Sequence, residues 1–329
     1  ALVVSRWLAA HAMEFRTAVN LRYGEGWEGT GQAEVAKGRA FSIAGPAPAV
    51  GSILDHPDLV WCEDEEWGQE RVVEAEERIR MQGGVLKPYQ AQRLQRNAGR
   101  NWHHFYLRNE NRFYKNRHYL HRVFPELHPA TSWPSPGAPL RLLEVGSGVG
   151  DAVLPLLSVH PGLVVHAFDF AQSAVDILRA AVEGGGWGHR CDAFVHDVAA
   201  GELPPHALGV DLVLCMFCLS AIEPADLPRV AKKLHDALRP GGKLLLRDYG
   251  RYDEAQLRFR KGSRIRDNFY VRQDGTRAYF FTSEELEEVF TAAGFAVEEN
   301  EYIRRQYANR AERTARYRVW VHAKFRRRE

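Results

Sequence analysis

The residues able to do chemistry in this chain cluster at the ends of apolar runs. Residues 141–151 read RLLEVGSGVGD, a short branched run that carries Glu144 and closes on Gly146, Gly148 and Gly150. Glycine reaches positive φ and lets a ligand approach the backbone closely, and a helix over 152–160 would begin with unpaired amides. Strand, glycine turn and helix N-terminus together make a cradle for a nucleotide-like ligand. Two further apolar runs end in acids, 163–168 on Asp169 and 193–196 on Asp197. A carboxylate at the tip of the second strand can accept both hydroxyls of a ribose. One at the third can take an adenine amino group, with the backbone amide of Val198 at the ring edge. Either acid alone is equally well a capping residue at a loop, but acids at three successive strand ends favour the ligand.

Spacing selects the ligand. A dinucleotide site wants Gly-x-Gly-x-x-Gly, which would put glycine at 151, where Asp151 stands. An acid two residues before Gly-x-Gly-x-Gly is instead the pattern of class I methyltransferases. Their cofactor, S-adenosylmethionine, is cationic and has no pyrophosphate.

The elements that position these residues alternate. Apolar runs at 163–169, 193–197, 211–219 and 242–248 are separated by amphipathic stretches at 172–183 and 225–238. Strands alternating with helices imply right-handed crossovers and a parallel sheet covered on both faces. Pro240 and Gly241 stop the helix before the fifth strand. A helix over 283–293 and strands over 296–303 and 317–325 complete seven strands, the last pair antiparallel. The expected fold is α/β, a doubly wound, Rossmann-like class I sheet of seven strands with an N-terminal helical extension and an insertion after the fifth strand.

Composition sets the outer bounds. The chain has 329 residues, a net charge of +2 and four cysteines, too few and too scattered for a disulfide framework. Cys215 and Cys218 form a lone Cys-x-x-Cys inside an apolar run, which reads as packing, and the 14 histidines show no paired ligand spacing, so no metal is expected. No apolar stretch is long enough for a membrane span, and a cytoplasmic location is the expectation, with a mitochondrial or nuclear form left open. Residues 1–54, rich in Gly, Ala and Pro, read as disordered. Residues 55–139 read as a helical region and linker, with helices over 63–80 and from about 89, and 140–329 as the catalytic domain. Trp102 and Tyr106, four apart, share a helix face. They suit either an apolar stripe docked on the sheet or a lid over a cofactor.

The insertion, 251–282, holds eight Arg or Lys against four Asp or Glu, with Phe269, Tyr270 and five other aromatics interleaved. Cations that track phosphates and rings that stack on unpaired bases suit a single-stranded RNA loop. A surface hairpin turning at Asp274 and Gly275 and packed on the sheet suits the same stretch. From Ile303 onward ten further Arg or Lys face two acids. Basic surfaces on two sides of one cofactor site favour a polyanionic substrate.

LLEVGSGVG, AFVHDV, FCLSAIEP, LRPGGKLLLRDYGRYDEAQLRF, NFYVRQDGTRAYFFT and YRVWVHAKF resemble the signatures of the tRNA 3-methylcytidine methyltransferases, which modify cytidine 32 of the anticodon loop. The final motifs are most similar to the branch serving threonine and arginine tRNAs. NWHHFYLRNENRFYKNRHYLHRVFPEL resembles the family's N-terminal helix and basic aromatic segment. The resemblance spans about 55–325. It implies cofactor contacts from Trp102, Tyr106, Gly146, Gly148, Asp169, Asp197, Val198 and Met216, beside the Glu144 read above, and favours the lid. With the charge pattern, it makes Arg112, Lys115, Arg117, His118, Arg258, Lys261, Phe269, Tyr270, Arg272 and Arg277 candidate tRNA contacts. For some members it implies an aminoacyl-tRNA synthetase or adaptor protein as a further partner. Ser147, Asp151 and Tyr119 depart from the family's usual cysteine, asparagine and tryptophan.

The implied reaction is direct displacement on the methyl group by ring nitrogen 3 of cytosine, which has a free lone pair, so positioning is the main catalytic demand. The product base is cationic. Asp248 is the expected stabilising acceptor, with Tyr249 stacking on the base and Arg247 holding a phosphate or Asp248. A small-molecule methyltransferase would share the sheet but want an apolar lid at 251–282, and a non-catalytic RNA scaffold would not need the cofactor acids.

Overall fold

The computed structural model describes residues 43–45, 59–63, 68–131, 135, 137–309 and 313–328. Two short strands come first, β1 (Ile43–Gly45) and β2 (Leu59–Glu63). Three helices follow: α1 (Gln69–Met81), α2 (Pro88–Arg96) and α3 (Ala98–Asn109). A short helix, α4 (Leu120–Val123), leads to the alternating part.

That part runs β3 (Leu140–Val145), α5 (Val153–Val159), β4 (Leu163–Asp169), α6 (Gln172–Gly184), β5 (Cys191–Val195), β6 (Val210–Met216), α7 (Leu227–Ala237) and β7 (Leu238–Tyr249). All seven residues of β6 are buried, as the apolar run 212–216 must be when both faces of a parallel sheet are covered, and Asp211 just before it is paired with Arg239. Adjacent side chains alternate between faces. Leu143, Val213 and Leu244 therefore pack under α7, while Leu142, Leu212 and Leu245 pack under α5 and α6.

The insertion folds as α8 (Glu254–Leu257) and an antiparallel three-stranded sheet of β8 (Arg264–Arg266), β9 (Phe269–Val271) and β10 (Arg277–Tyr279). Gly275, at φ 83°, lies in the turn between the last two. Helix α9 (Ser283–Ala292) starts with a capping box between Thr282 and Glu285. The chain then forms a long hairpin, β11 (Phe295–Asn309) and β12 (Thr314–Arg327).

The main sheet has the order β1-β2-β11-β12-β7-β6-β3-β4-β5. Its seven strands from β11 to β5 are those expected, and β12 lies antiparallel between β7 and β11. β11 and β12 outrun the expected 296–303 and 317–325, and β2 adds to the extended end, with Arg305 opposite Glu63. The first helix accordingly begins at Gln69 rather than at Glu63. Of the segment expected to be disordered, Ile43–Gly45 is a strand and the rest lies outside the described residues. Among the described residues, no helix is long and apolar enough to cross a membrane.

Candidate active site

The turn after β3 is tight because three glycines take positive φ, 67° at Gly146, 54° at Gly148 and 96° at Gly150. A Cβ on Gly146 would collide with Cys218 Sγ, and one on Gly148 would stand 2.6 Å from the Tyr106 hydroxyl. The Gly148 N–H donates to Asp169 Oδ2 at 3.0 Å and the Ala171 N–H donates to Oδ1 at 2.9 Å. Asp169 is thus held at the tip of β4 facing the turn. Burial pushes its carboxyl up to about 6, against the lowering effect of those two amides.

Helix α3 closes the opening. Trp102 and Tyr106 stack with ring centroids 5.8 Å apart, and Ser173 on α6 fixes the helix by donating its hydroxyl hydrogen to the His103 carbonyl at 2.9 Å. Between lid and sheet lies a cleft of about 390 Å³, lined by Trp102, Tyr106, Gly146, Asp169, Asp197 and Val198, all six expected from the sequence. Asp197 is exposed, and its Oδ1 accepts the Ala199 N–H at 2.9 Å. Bare glycine backbone, a carboxylate at the second strand tip, another at the third and an aromatic lid fit an adenosine-bearing cofactor.

Three expected contacts stand one layer back from the cleft surface. Gly148 lies under Tyr106 and acts through its amide on Asp169. Glu144 is buried beneath the turn with Oε2 unpartnered. Burial pushes its carboxyl up to about 8, opposed chiefly by Arg117. Met216 packs into the core under α5 and α6, and its carbonyl accepts from Arg117 Nη1 at 3.4 Å. The ring in the cleft belongs to the next residue, Phe217, whose φ of 57° turns it off the strand. Positive φ is uncommon for a bulky residue; the other aromatic that adopts it among the described residues, Tyr252, lies outside the cleft. The sequence signal of Phe217 is only its place at the end of an apolar run.

The three residues expected at the transfer step do not share a surface. Tyr249 is half-buried, T-shaped against Phe217 at 5.2 Å, with the Arg272 guanidinium 5.7 Å over its ring. Asp248 is buried, and its carboxylate accepts the Ser220 N–H at 2.9 Å and the Tyr249 N–H at 2.8 Å. It does not line the cleft; it ties the loop after β6 to the tip of β7. Burial raises its carboxyl to about 6, and the Ser220 bonds oppose that. Arg247, one residue earlier on the strand, points to the other face. There its Nη2 lies 3.2 Å from His322 Nδ1, so it neither pairs with Asp248 nor meets solvent. Burial lowers it to about 10.

The expected tRNA contacts divide into two sets. Arg112, Lys115, Arg258 and Lys261 are exposed, and His118 and Arg272 are half-buried. Arg117 stands over the Phe217 ring at 5.2 Å, beside Glu144, and belongs to the inner site. Phe269 and Tyr270 are fully buried. Tyr270 stacks on Phe259 at 4.6 Å and packs with Phe280 and Ala278. Tyr270, Phe280 and Phe259 form a small core within the insertion, shared with Tyr249, because a three-stranded sheet this small must bury its apolar side to hold together. Phe281 belongs to the main core and Tyr279 packs against it. Arg277 is buried too. Its Nη2 donates to the Ala221 carbonyl at 3.1 Å, and its Nη1 lies 3.4 Å from Glu223.

Cys215 lies in β6, but Cys218 is past the strand end, against Gly146. Burial pushes both thiols up. Histidines far apart in sequence do meet: Asp192 Oδ2 lies 3.2 Å from His206 Nε2 and 3.9 Å from His166 Nδ1, on the outer edge of the sheet.

Strand order, glycine turn, strand-tip acids and lid define a class I methyltransferase, whose cofactor is S-adenosylmethionine. A methyltransferase-domain family model matches residues 106–300. A methyltransferase from Burkholderia thailandensis, solved with S-adenosylhomocysteine, shares the fold at 16% identity and a TM-score of 0.51 over 75% of this chain and 93% of its own. The tRNA N(3)-methylcytidine methyltransferase Mettl2 of Drosophila melanogaster is 39% identical over 304 residues, 91% of each chain. METTL2 of Danio rerio is 39% identical over 79% of this chain and 82% of its own, and METTL6 of Mus musculus 39% over 77% and 89%. The chain belongs to the tRNA N(3)-cytidine methyltransferase family.

Proposed function

We propose that the protein transfers a methyl group from S-adenosylmethionine to N3 of cytidine 32 in the anticodon loop of tRNA. The observation that carries this reading is the double role of Phe217. Its ring lines the cofactor cleft and also meets Tyr249, over which Arg272 stands. Two guanidinium groups, Arg117 over Phe217 and Arg272 over Tyr249, frame a flat aromatic corner beside the cofactor. A planar base splayed out of a loop fits such a corner, and a paired base does not.

S-adenosylmethionine supplies the electrophilic methyl. The protein's share is to orient the base, exclude water and hold the corner rigid. Asp248 does the last by fixing Ser220 and Tyr249, and contributes a negative field to the developing cation without touching it. No residue need act as a base, since N3 carries its own lone pair.

The RNA-facing surface begins with Arg112, Lys115 and Lys261, all exposed. A second basic surface is a cleft of about 360 Å³ where α1, α8 and β12 meet, lined by Arg71, Arg78, Arg258 and Arg316 with Glu74 and Glu254. An aminoacyl-tRNA synthetase or adaptor protein is the expected further partner, and the cytoplasm the expected location. Nucleoside mass spectrometry on anticodon stem-loops bearing cytidine or uridine at position 32, incubated with methyl-labelled cofactor, tests the assignment. Label in 3-methylcytidine from the cytidine loop alone supports it. Label elsewhere, or none either in the loops or in total tRNA supplied with cell extract, overturns it.

A further inference from the structure

Arg277 is the feature of the insertion that the reaction leaves unexplained. It is a cation with 5% of its surface exposed, placed by sequence among the RNA contacts and by structure in the wall of the cofactor cleft. Burying a guanidinium is costly unless it is paired and hydrogen-bonded, and Arg277 is both. It donates to the Ala221 carbonyl, to Gln95 Oε1 at the end of α2, and lies against Glu223. Glu223 in turn pairs with Arg266. Arg277 and Asp197 line the same cleft.

A second tie lies on the same hairpin. Asn101 Nδ2 donates to the Gly275 carbonyl at 2.8 Å, and a Cβ on Gly275 would stand 2.7 Å from that amide nitrogen. Asn101 is next to Trp102 of the lid. The β9–β10 hairpin is therefore fastened to the loop after β6 by Arg277, where β10 leaves the turn, and at the turn itself to the lid helix. Both anchors, Ala221 to Glu223 and α3, border the cofactor cleft. The same hairpin carries Arg272, held by the Arg277 carbonyl at 3.0 Å, over the ring of Tyr249.

We propose that Arg277, with Glu223 and Asn101, couples cofactor occupancy to the placement of the β9–β10 hairpin, so that binding of the cofactor sets Arg272 over the base-binding corner. Arg277 is on this account a positioning residue and makes no RNA contact. The inference rests on the cofactor reading of the cleft, deepens it, and requires no RNA to be tested.

Amide hydrogen exchange over 269–279, with and without S-adenosylhomocysteine, is the measurement, after calorimetry has established binding. In the wild-type chain, saturation slows exchange in the hairpin about fivefold or more, the low end of ordinary coupling between sites. In Arg277→Gln, saturated with the same ligand, the slowing disappears, and Arg277→Lys, which keeps the charge facing Glu223, restores part of it. Asn101→Ala, at a half-buried position, gives the same loss by the other tie and serves if Arg277→Gln does not fold. Unchanged hairpin exchange in the saturated wild type, or equal slowing in wild type and both variants, overturns the coupling while leaving the cofactor site intact. Absence of calorimetric binding to the wild type overturns the cofactor reading and this inference with it.

Discussion

The Tyr106 hydroxyl lies directly over Gly148, so close that a methyl group on the glycine would stand 2.6 Å from it. The lid and the glycine turn are therefore one packed unit. Gly148→Ala meets that contact and also a φ of 54°, which costs a side-chain-bearing residue about 1–2 kcal/mol. Displaced turn and lid should weaken S-adenosylhomocysteine binding roughly tenfold or more by calorimetry, as 1.4 kcal/mol is a factor of ten. Adding Tyr106→Phe removes the hydroxyl and returns part of the loss, a non-additivity expected of residues in contact. Strict additivity of the two changes would show that the contact does not carry the effect.

Two buried carboxylates make cofactor binding depend on pH. Burial raises Glu144 to about 8 and Asp169 to about 6, each above its unfolded value. The folded apoprotein thus holds protons that the unfolded chain has released, and these groups subtract stability as pH rises from about 4 to 8. A cationic ligand favours the ionised carboxylates, so its binding expels protons. Affinity should rise from about pH 4 to 8, by up to about tenfold per pH unit for each proton released, and level off above. The Asp169 share is confined below about pH 6, and the Glu144 share extends to about pH 8. Calorimetry in buffers of different ionisation enthalpy counts those protons. Glu144→Gln should flatten the upper part of the rise and Asp169→Asn the lower, and a pH-independent affinity in the wild type would exclude the linkage.

Asp248 separates bracket from charge. Its carboxylate already accepts the amides of Ser220 and Tyr249. Asp248→Asn keeps an oxygen for the Ser220 amide and should lower kcat by about threefold to tenfold, the share of a field acting without contact. Asp248→Ala leaves a buried amide unsatisfied, at about 1–3 kcal/mol, and frees the loop that carries Ala221 and Glu223. It should reduce kcat by about a hundredfold and lower the melting temperature. Equal activity of wild type and Asp248→Ala would remove the residue from the mechanism altogether.

The sheet was legible because its strands are apolar on both faces and punctuated by glycine and acids, a pattern that little but a parallel core can produce. Asp169 and Asp197 were legible for the same reason, as the residues where buried runs must end. What failed depends on direction rather than type. Arg247 and Asp248 are neighbours in sequence and face opposite sides of β7. Phe217, not Met216, turns into the cleft, because a positive φ that no local residue demands reverses the last step of the strand. The basic aromatic insertion read as a surface for RNA because its rings and cations alternate. Phe269 and Tyr270, neighbours on β9 and so on opposite faces, are both buried, Tyr270 against Phe259 and Phe269 against Tyr279. Arg277 enters a pair with Glu223, 54 residues away in sequence. Nothing local marks Glu223 as that partner.

The cleft between α1, α8 and β12 predicts a measurable electrostatic footprint. Four arginines and two glutamates line it, an excess of positive charge suited to phosphates, and Arg71 is braced by its guanidinium 4.0 Å over the Tyr317 ring. Each phosphate neutralised releases condensed counterions, so the logarithm of RNA affinity should fall linearly with the logarithm of salt, by about 0.7 per contact for single strands and 0.9 for duplex. Arg258, exposed at the rim, is the residue to change. Arg258→Ala should weaken anticodon stem-loop binding, reduce the salt slope by about one, and leave S-adenosylhomocysteine affinity alone, since among the described residues the cofactor cleft shares no lining residue with this one. In methyl transfer the same variant should raise KM for RNA with kcat held, because a phosphate contact remote from the reacting nitrogen contributes equally in ground and transition states. A fall in kcat with an unchanged salt slope would move Arg258 from the RNA surface to the support of the insertion.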